Sequence, residues 1–127
     1  MRSRLFRFAA TAALVAVPLT ACGSGSPTTN DNSSSGTPGA VTVHAKDTLT
    51  FDKSSYEATA GNVTFEYVND GNIPHTLNIE GQTFEIDANK HGEKDSASIN
   101  LAAGTYTLYC NIPGHRSAGM HATLTVK

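Results

Sequence analysis

The segment YCNIPGHRSAGMH, residues 109–121, gathers around His115 the chain's only methionine beyond Met1 and its only cysteine beyond Cys22. Four residues separate Cys110 from His115, and four separate His115 from Met120. A thiolate, an imidazole and a thioether in one short loop are metal donors before they are anything else. With a second imidazole they complete a His₂Cys plane with a weak axial Met, the donor set that suits copper. Soft sulfur favours Cu(I) and imidazole accepts both oxidation states, so a geometry between the two preferences keeps reorganisation small when one electron moves.

The second imidazole has to come from the elements that position the loop. From residue 40 onward the chain runs as short segments with two-residue periodicity, including AVTVHA, TLTFD, NVTFEYVN, TLNIE, TFEID, ASINL, GTYTLYC and HATLTV. Gly, Asn, Asp and Pro clusters separate them. No segment carries a sustained helical pattern, and the turn spacing predicts an all-β antiparallel sandwich or barrel of about eight strands. Residues two apart in a strand share a face. Val63, Phe65 and Tyr67 therefore point to the core, as do Tyr106, Leu108 and Cys110. Extending TLNIE backward brings His75 into phase with Leu77 and Ile79, so His75 and Cys110 both aim inward at strand ends. The expected metal ligands are His75, Cys110, His115 and Met120, holding one copper per chain. His44 and His121 fall on the outward phase, and His91 lies in the polar turn NKHGEKD.

The amino-terminal third has a different character. Arg2, Arg4 and Arg7 precede the apolar run AATAALVAVPL, which is short of the roughly 20 residues a membrane-spanning helix needs. Residues 1–21 read as an export signal. Leu19-Thr20-Ala21-Cys22 resembles the lipobox of bacterial lipoproteins, in which Cys22 is lipidated after cleavage, and two or three acyl chains suffice for stable anchoring. Residues 22–39 then form the lipidated Cys and a Gly/Ser/Thr/Pro tether too poor in apolar residues to fold, with a root-mean-square reach on the order of 20–25 Å. The expected location is the outer face of a cell membrane, or the periplasm.

This partition sharpens two inferences. Residues 40–127 hold six basic and ten acidic side chains, a net charge of −4, which disfavours nucleic acid and anionic lipid surfaces as partners. Once Cys22 carries lipid, Cys110 has no partner for an intramolecular disulfide in an oxidising compartment. Intermolecular pairing, inert burial or a metal would each account for it, and the His and Met beside it favour the metal. Zinc fits the set poorly, because it prefers strong tetrahedral donors to a thioether. Copper oxidase or nitrite reductase chemistry would need a further metal centre with paired His-x-His elements, which the chain lacks, and four filled positions leave none open for substrate. The chain is therefore expected not to be an enzyme. Copper storage or delivery is the alternative function, although delivery proteins display several Met and His residues, and here one Met serves one site.

NDGNIPHTLNIEG followed some thirty residues later by GTYTLYCNIPGHRSAGMHATLTV is similar to the cupredoxins, the plastocyanin- and azurin-like small blue copper proteins. The resemblance spans the whole of residues 40–127. It implies a Greek-key β-sandwich with one type 1 copper on His75, Cys110, His115 and Met120, and a one-electron shuttle between transient redox protein partners, acting as a monomer. Many cupredoxins carry Asn directly after the first His ligand, where this chain has Thr76. Thr76, Asn69 and Asn111 are the expected supports of the ligands. His115, or Cys110 with the adjacent Tyr109, is the expected path for electrons. Ile73, Pro74, Pro113 and Gly114, with Ile112, Ala118 and Gly119, are the expected apolar rim.

Overall fold

A computed structural model describes residues 39–127. The expected export signal, the expected lipidation at Cys22 and the expected tether up to residue 38 lie outside the described residues. Nine strands follow: β1 Val41–Lys46, β2 Thr50–Phe51, β3 Ser55–Ala58, β4 Gly61–Asn69, β5 His75–Ile79, β6 Glu85–Ala88, β7 Lys94–Leu101, β8 Gly104–Tyr109 and β9 His121–Val126. One four-residue helix, α1 His115–Ala118, interrupts the stretch between β8 and β9.

The strands form a sandwich of two sheets, ordered β2-β1-β4-β7 and β3-β9-β8-β5-β6. Alternation decides which faces meet. Val43, Phe65 and Tyr67 from the first sheet are fully buried against Leu77, Leu108 and Leu124 from the second. In β9, Ala122, Leu124 and Val126 are buried while His121 and Thr123 are exposed, as the period of two requires.

The sandwich departs from the sequence expectation in three ways. It has nine strands because SYEA, only four residues long, forms β3 at the sheet edge beside β9. It is not purely antiparallel, since β1 runs parallel to β4 and β3 parallel to β9. Period-two alternation assigns faces and says nothing of which neighbour a strand takes. The third departure is β5, all five of whose residues are buried, including the polar Thr76 and Asn78. An interior strand between β8 and β6 is flanked on both edges, and Asn111 covers its outer face through hydrogen bonds to both polar side chains. Satisfied in this way, the two polar groups escape the cost of burial without partners.

Candidate metal centre

Cys110 follows the last residue of β8 and is fully buried. From there the loop folds back on itself through backbone bonds. The His115 amide donates to the Ile112 carbonyl at 3.0 Å, the Met120 amide to the His115 carbonyl at 3.0 Å, and the Cys110 amide to the Met120 carbonyl at 3.1 Å. The loop reverses at Gly114 (φ 88°) and again at Gly119 (φ 118°), one on each side of α1. Both lie in the left-handed region that only glycine enters without strain. The two turns bring the backbone of Met120 back beside that of Cys110 and His115. Met120 is fully buried, whereas His115 is only half-buried.

His75 arrives from the other direction, as the first residue of β5, with no exposed surface. Its ring centroid stands 5.3 Å from that of His115. The Cys110 Sγ lies 3.5 Å from the His115 Nδ1, and donor atoms of His75, Cys110 and His115 lie within 4.8 Å of one another. Neither ring nitrogen of His75 has a hydrogen-bond partner. A buried polar atom left without a partner costs about 1–3 kcal/mol, so two on one imidazole ring call for an explanation, and a bound metal supplies one. An orphaned imidazole facing a buried thiol and a second imidazole is a donor set prepared for a soft or borderline cation, and copper fits it.

The three supporting residues surround these donors. The Thr76 amide and hydroxyl each lie 3.5 Å from Cys110 Sγ. Asn111 donates its backbone N–H to the Thr76 hydroxyl at 3.0 Å, tying the residue after one ligand to the residue after another. Asn69 is fully buried and ties the loop before His75 to the neighbouring strand, donating from Nδ2 to the carbonyls of Ile73 (2.8 Å) and Ala88 (3.0 Å) while accepting from the Gly71 amide (2.8 Å).

Sequence reasoning missed Asp47. Its carboxylate, in the turn between β1 and β2, accepts from the Asn72 amide (2.7 Å), the Asn72 side chain (2.9 Å) and the Ile73 amide (3.2 Å). These bonds hold its carboxyl below the usual carboxylate range. Asp47 and Asn69 thus grip the 70–74 loop from two sides. Nothing local distinguishes Asp47 from any other acidic turn residue; only the folded register of β1 against β4, with Ala45 opposite Asn69, brings it there.

At the surface, Ile73, Pro74, Pro113 and Gly114 are exposed near His115, and Ile112 is partly buried. Tyr109 is half-buried under the Arg116 guanidinium, 4.5 Å above its ring, and Arg116 is paired with Glu80 at 2.7 Å. His121 points outward, His91 bonds the Gly71 carbonyl, and His44 pairs with Asp70 at 2.8 Å, so none of them joins the cluster.

Burial is the main cause that holds the His75 imidazole below its ordinary pKa; the nearby His115 adds to the shift and Asp47 opposes it. An imidazole held neutral in the fold takes up a proton in the unfolded chain below about pH 6.5, so unfolding binds protons there. Its contribution is complete above that pH and is lost as pH falls towards the depressed folded value. The metal-free domain is expected to lose denaturant stability between about pH 7 and 5, a range above the depressed carboxylates of Asp47 and Glu80, and His75→Ala is expected to lose much of that slope. A midpoint that stays flat or rises on acidification in the wild-type protein would contradict this.

Residues 37–127 match the family described as copper binding proteins, plastocyanin/azurin family. Among solved structures, the reduced auracyanin of the photosynthetic bacterium Roseiflexus castenholzii superposes with a TM-score of 0.63 at 18% identity, covering 72% of this chain and 99% of that one. Auracyanin B does so at 0.58 and 25% identity, covering 69% and 88%. An azurin, Az-iso2 of Methylomonas sp. strain J, gives 0.58 at 20% identity, covering 69% and 97%. No curated protein sequence matches this one.

Proposed function

We propose that this chain, which belongs to the plastocyanin/azurin family of copper-binding proteins, carries single electrons at the outer face of a bacterial membrane, tethered there through Cys22. It is a type 1 copper electron carrier, and the observation that carries this is the convergence of His75, Cys110 and His115, with the buried Met120 on the same loop. When bound, copper supplies a one-electron couple between Cu(I) and Cu(II).

The chain's own residues do the rest. His75, Cys110 and His115 would hold the metal, with Met120 of the same loop as the fourth donor. The backbone bonds that close residues 110–120, with the Asp47 and Asn69 grips on residues 70–74, keep the donors in one arrangement through a change of charge. Core packing excludes water from His75, Cys110 and Met120. His115 is the least buried of the donors, so its ring would be the path for electrons to and from a bound copper, with the Cys110–Tyr109 bond as a second route beneath Arg116. The small rim of Ile73, Pro74, Pro113 and Gly114 suits brief encounters with redox proteins, which bury little area and separate quickly. All donors being committed to the metal, the protein acts as a carrier without substrate chemistry of its own, and as a monomer.

The tethered location rests on Leu19-Thr20-Ala21-Cys22 and the tether behind it. With the full chain expressed in a bacterial host, the blue protein is expected in the membrane fraction, released by detergent. Cys22→Ala is expected to move it to the soluble exported fraction with an unchanged visible spectrum. Equal solubility of the two forms would refute the anchor and leave the carrier intact.

A further inference from the structure

The outer face of β5 carries a hydrogen-bond chain that runs from Thr76, beside the ligand sulfur, through Asn111 to Glu85. The Thr76 hydroxyl accepts the Asn111 backbone N–H at 3.0 Å and the Asn78 Nδ2 at 3.0 Å, which occupies both of its lone pairs. One proton remains for it to donate, and two acceptors lie within reach: the Asn111 Oδ1 at 2.8 Å and the Cys110 Sγ at 3.5 Å.

The far end of the chain decides between them. The Asn111 Nδ2 donates to the Glu85 carboxylate, and to the Asn78 Oδ1 at 3.4 Å. An ionised carboxylate accepts only, so it forces the Asn111 amide to turn its NH₂ towards Glu85 and its oxygen towards Thr76. With the oxygen held there, the Thr76 proton goes to Asn111, and of the two Thr76 donors only the backbone N–H, at 3.5 Å, is left to the sulfur.

We propose that Glu85, acting through Asn111 and Asn78, sets the reduction potential of the centre by withholding the Thr76 hydroxyl proton from the Cys110 sulfur. Hydrogen bonds around the ligand sulfur are a principal control on the potential of such sites, because each one drains electron density from the thiolate and favours the reduced metal. Glu85 touches neither the metal nor a ligand; it is a positioning residue on the exposed edge of β6. The inference rests on copper occupying the four-ligand set.

The test combines voltammetry of the copper-loaded protein with NMR of the metal-free protein. Glu85→Ala and Asn111→Ala are each expected to release the hydroxyl to the sulfur and raise the potential, shifting the one-electron equilibrium about tenfold, or about 59 mV. Glu85→Gln keeps an acceptor oxygen for Asn111 and is expected to hold the wild-type potential. In a Thr76→Val background, Asn111→Ala is expected to produce no rise. In the metal-free protein, the Asn111 side-chain amide resonances are expected to move in Glu85→Ala and to stay in place in Glu85→Gln. A rise in Glu85→Gln equal to that in Glu85→Ala would assign the effect to lost charge and overturn the proposal. So would a rise that survives Thr76→Val, or Asn111 amide resonances indifferent to Glu85→Ala. Absence of the visible copper band from the wild-type protein would sink the copper reading instead, and the amide resonances would still decide the lock.

Discussion

Cys110→Ser is expected to abolish the intense visible thiolate-to-Cu(II) absorption and to weaken copper binding by more than about 100-fold, the upper end of what losing a mere supporting contact costs. The reason is chemical. A serine hydroxyl stays protonated where a thiol gives up its proton to the metal, and the charge-transfer band needs sulfur. The fold should tolerate the change, because the position is buried, the side chains are nearly isosteric, and the Cys110 backbone N–H still donates to Met120. Melting curves separate the two effects. Copper at about a thousandfold above its Kd stabilises a protein by about 4 kcal/mol, and each kcal/mol moves the Tm of a domain this size by about 4–8 °C. That rise is expected in the wild-type protein and absent in Cys110→Ser. A blue Cys110→Ser protein would remove Cys110 from the site altogether.

The second large effect is expected far from any donor atom. Gly71 is buried between the two grips on the loop that delivers His75. A Cβ at Gly71 would collide with the Asp47 carboxylate and stand 2.9 Å from the Asp47 backbone nitrogen. Its φ is not left-handed, so the objection is space alone. Gly71→Ala must push Asp47 off the Asn72 and Ile73 amides or displace the loop, and overpacking of this kind costs about 1–3 kcal/mol. Because His75 begins two residues after Ile73, copper affinity is expected to fall about 10–100-fold, in line with losses of ligand support elsewhere. Gly81→Ala is the control: its φ of 76° makes alanine strained by about 1 kcal/mol, but its Cβ meets nothing within 4 Å. It is expected to lower stability slightly and leave copper binding alone. Equal copper affinity in the two variants would show that the Asp47 grip does not position His75.

The ligand set was legible because three of its four members sit in one loop. Cys110, His115 and Met120 have few alternatives in a chain with two cysteines and two methionines, and their roles follow from donor chemistry. His75 was legible by phase, since alternation in TLNIE extends back to it. Thr76 was found through the family resemblance, as the residue after the first His ligand, and Asn69 and Asn111 by proximity in sequence alone. Asp47 and Glu85 were not found: their partners lie 25 and 26 residues away, and their neighbours in sequence are those of ordinary solvated acids.

Donor identities, strand faces and the β class were therefore determined by the sequence itself, because side-chain chemistry and two-residue alternation are local properties. Strand partners were decided only by the tertiary structure, including the parallel pairing of β1 with β4 and of the short β3 with β9. So were the complete burial of β5 and the hydrogen bonds that link Thr76, beside Cys110, through Asn111 to Glu85. Each of these depends on which distant groups compete for the same donor or the same edge, and that competition exists only once the two sheets have closed on each other.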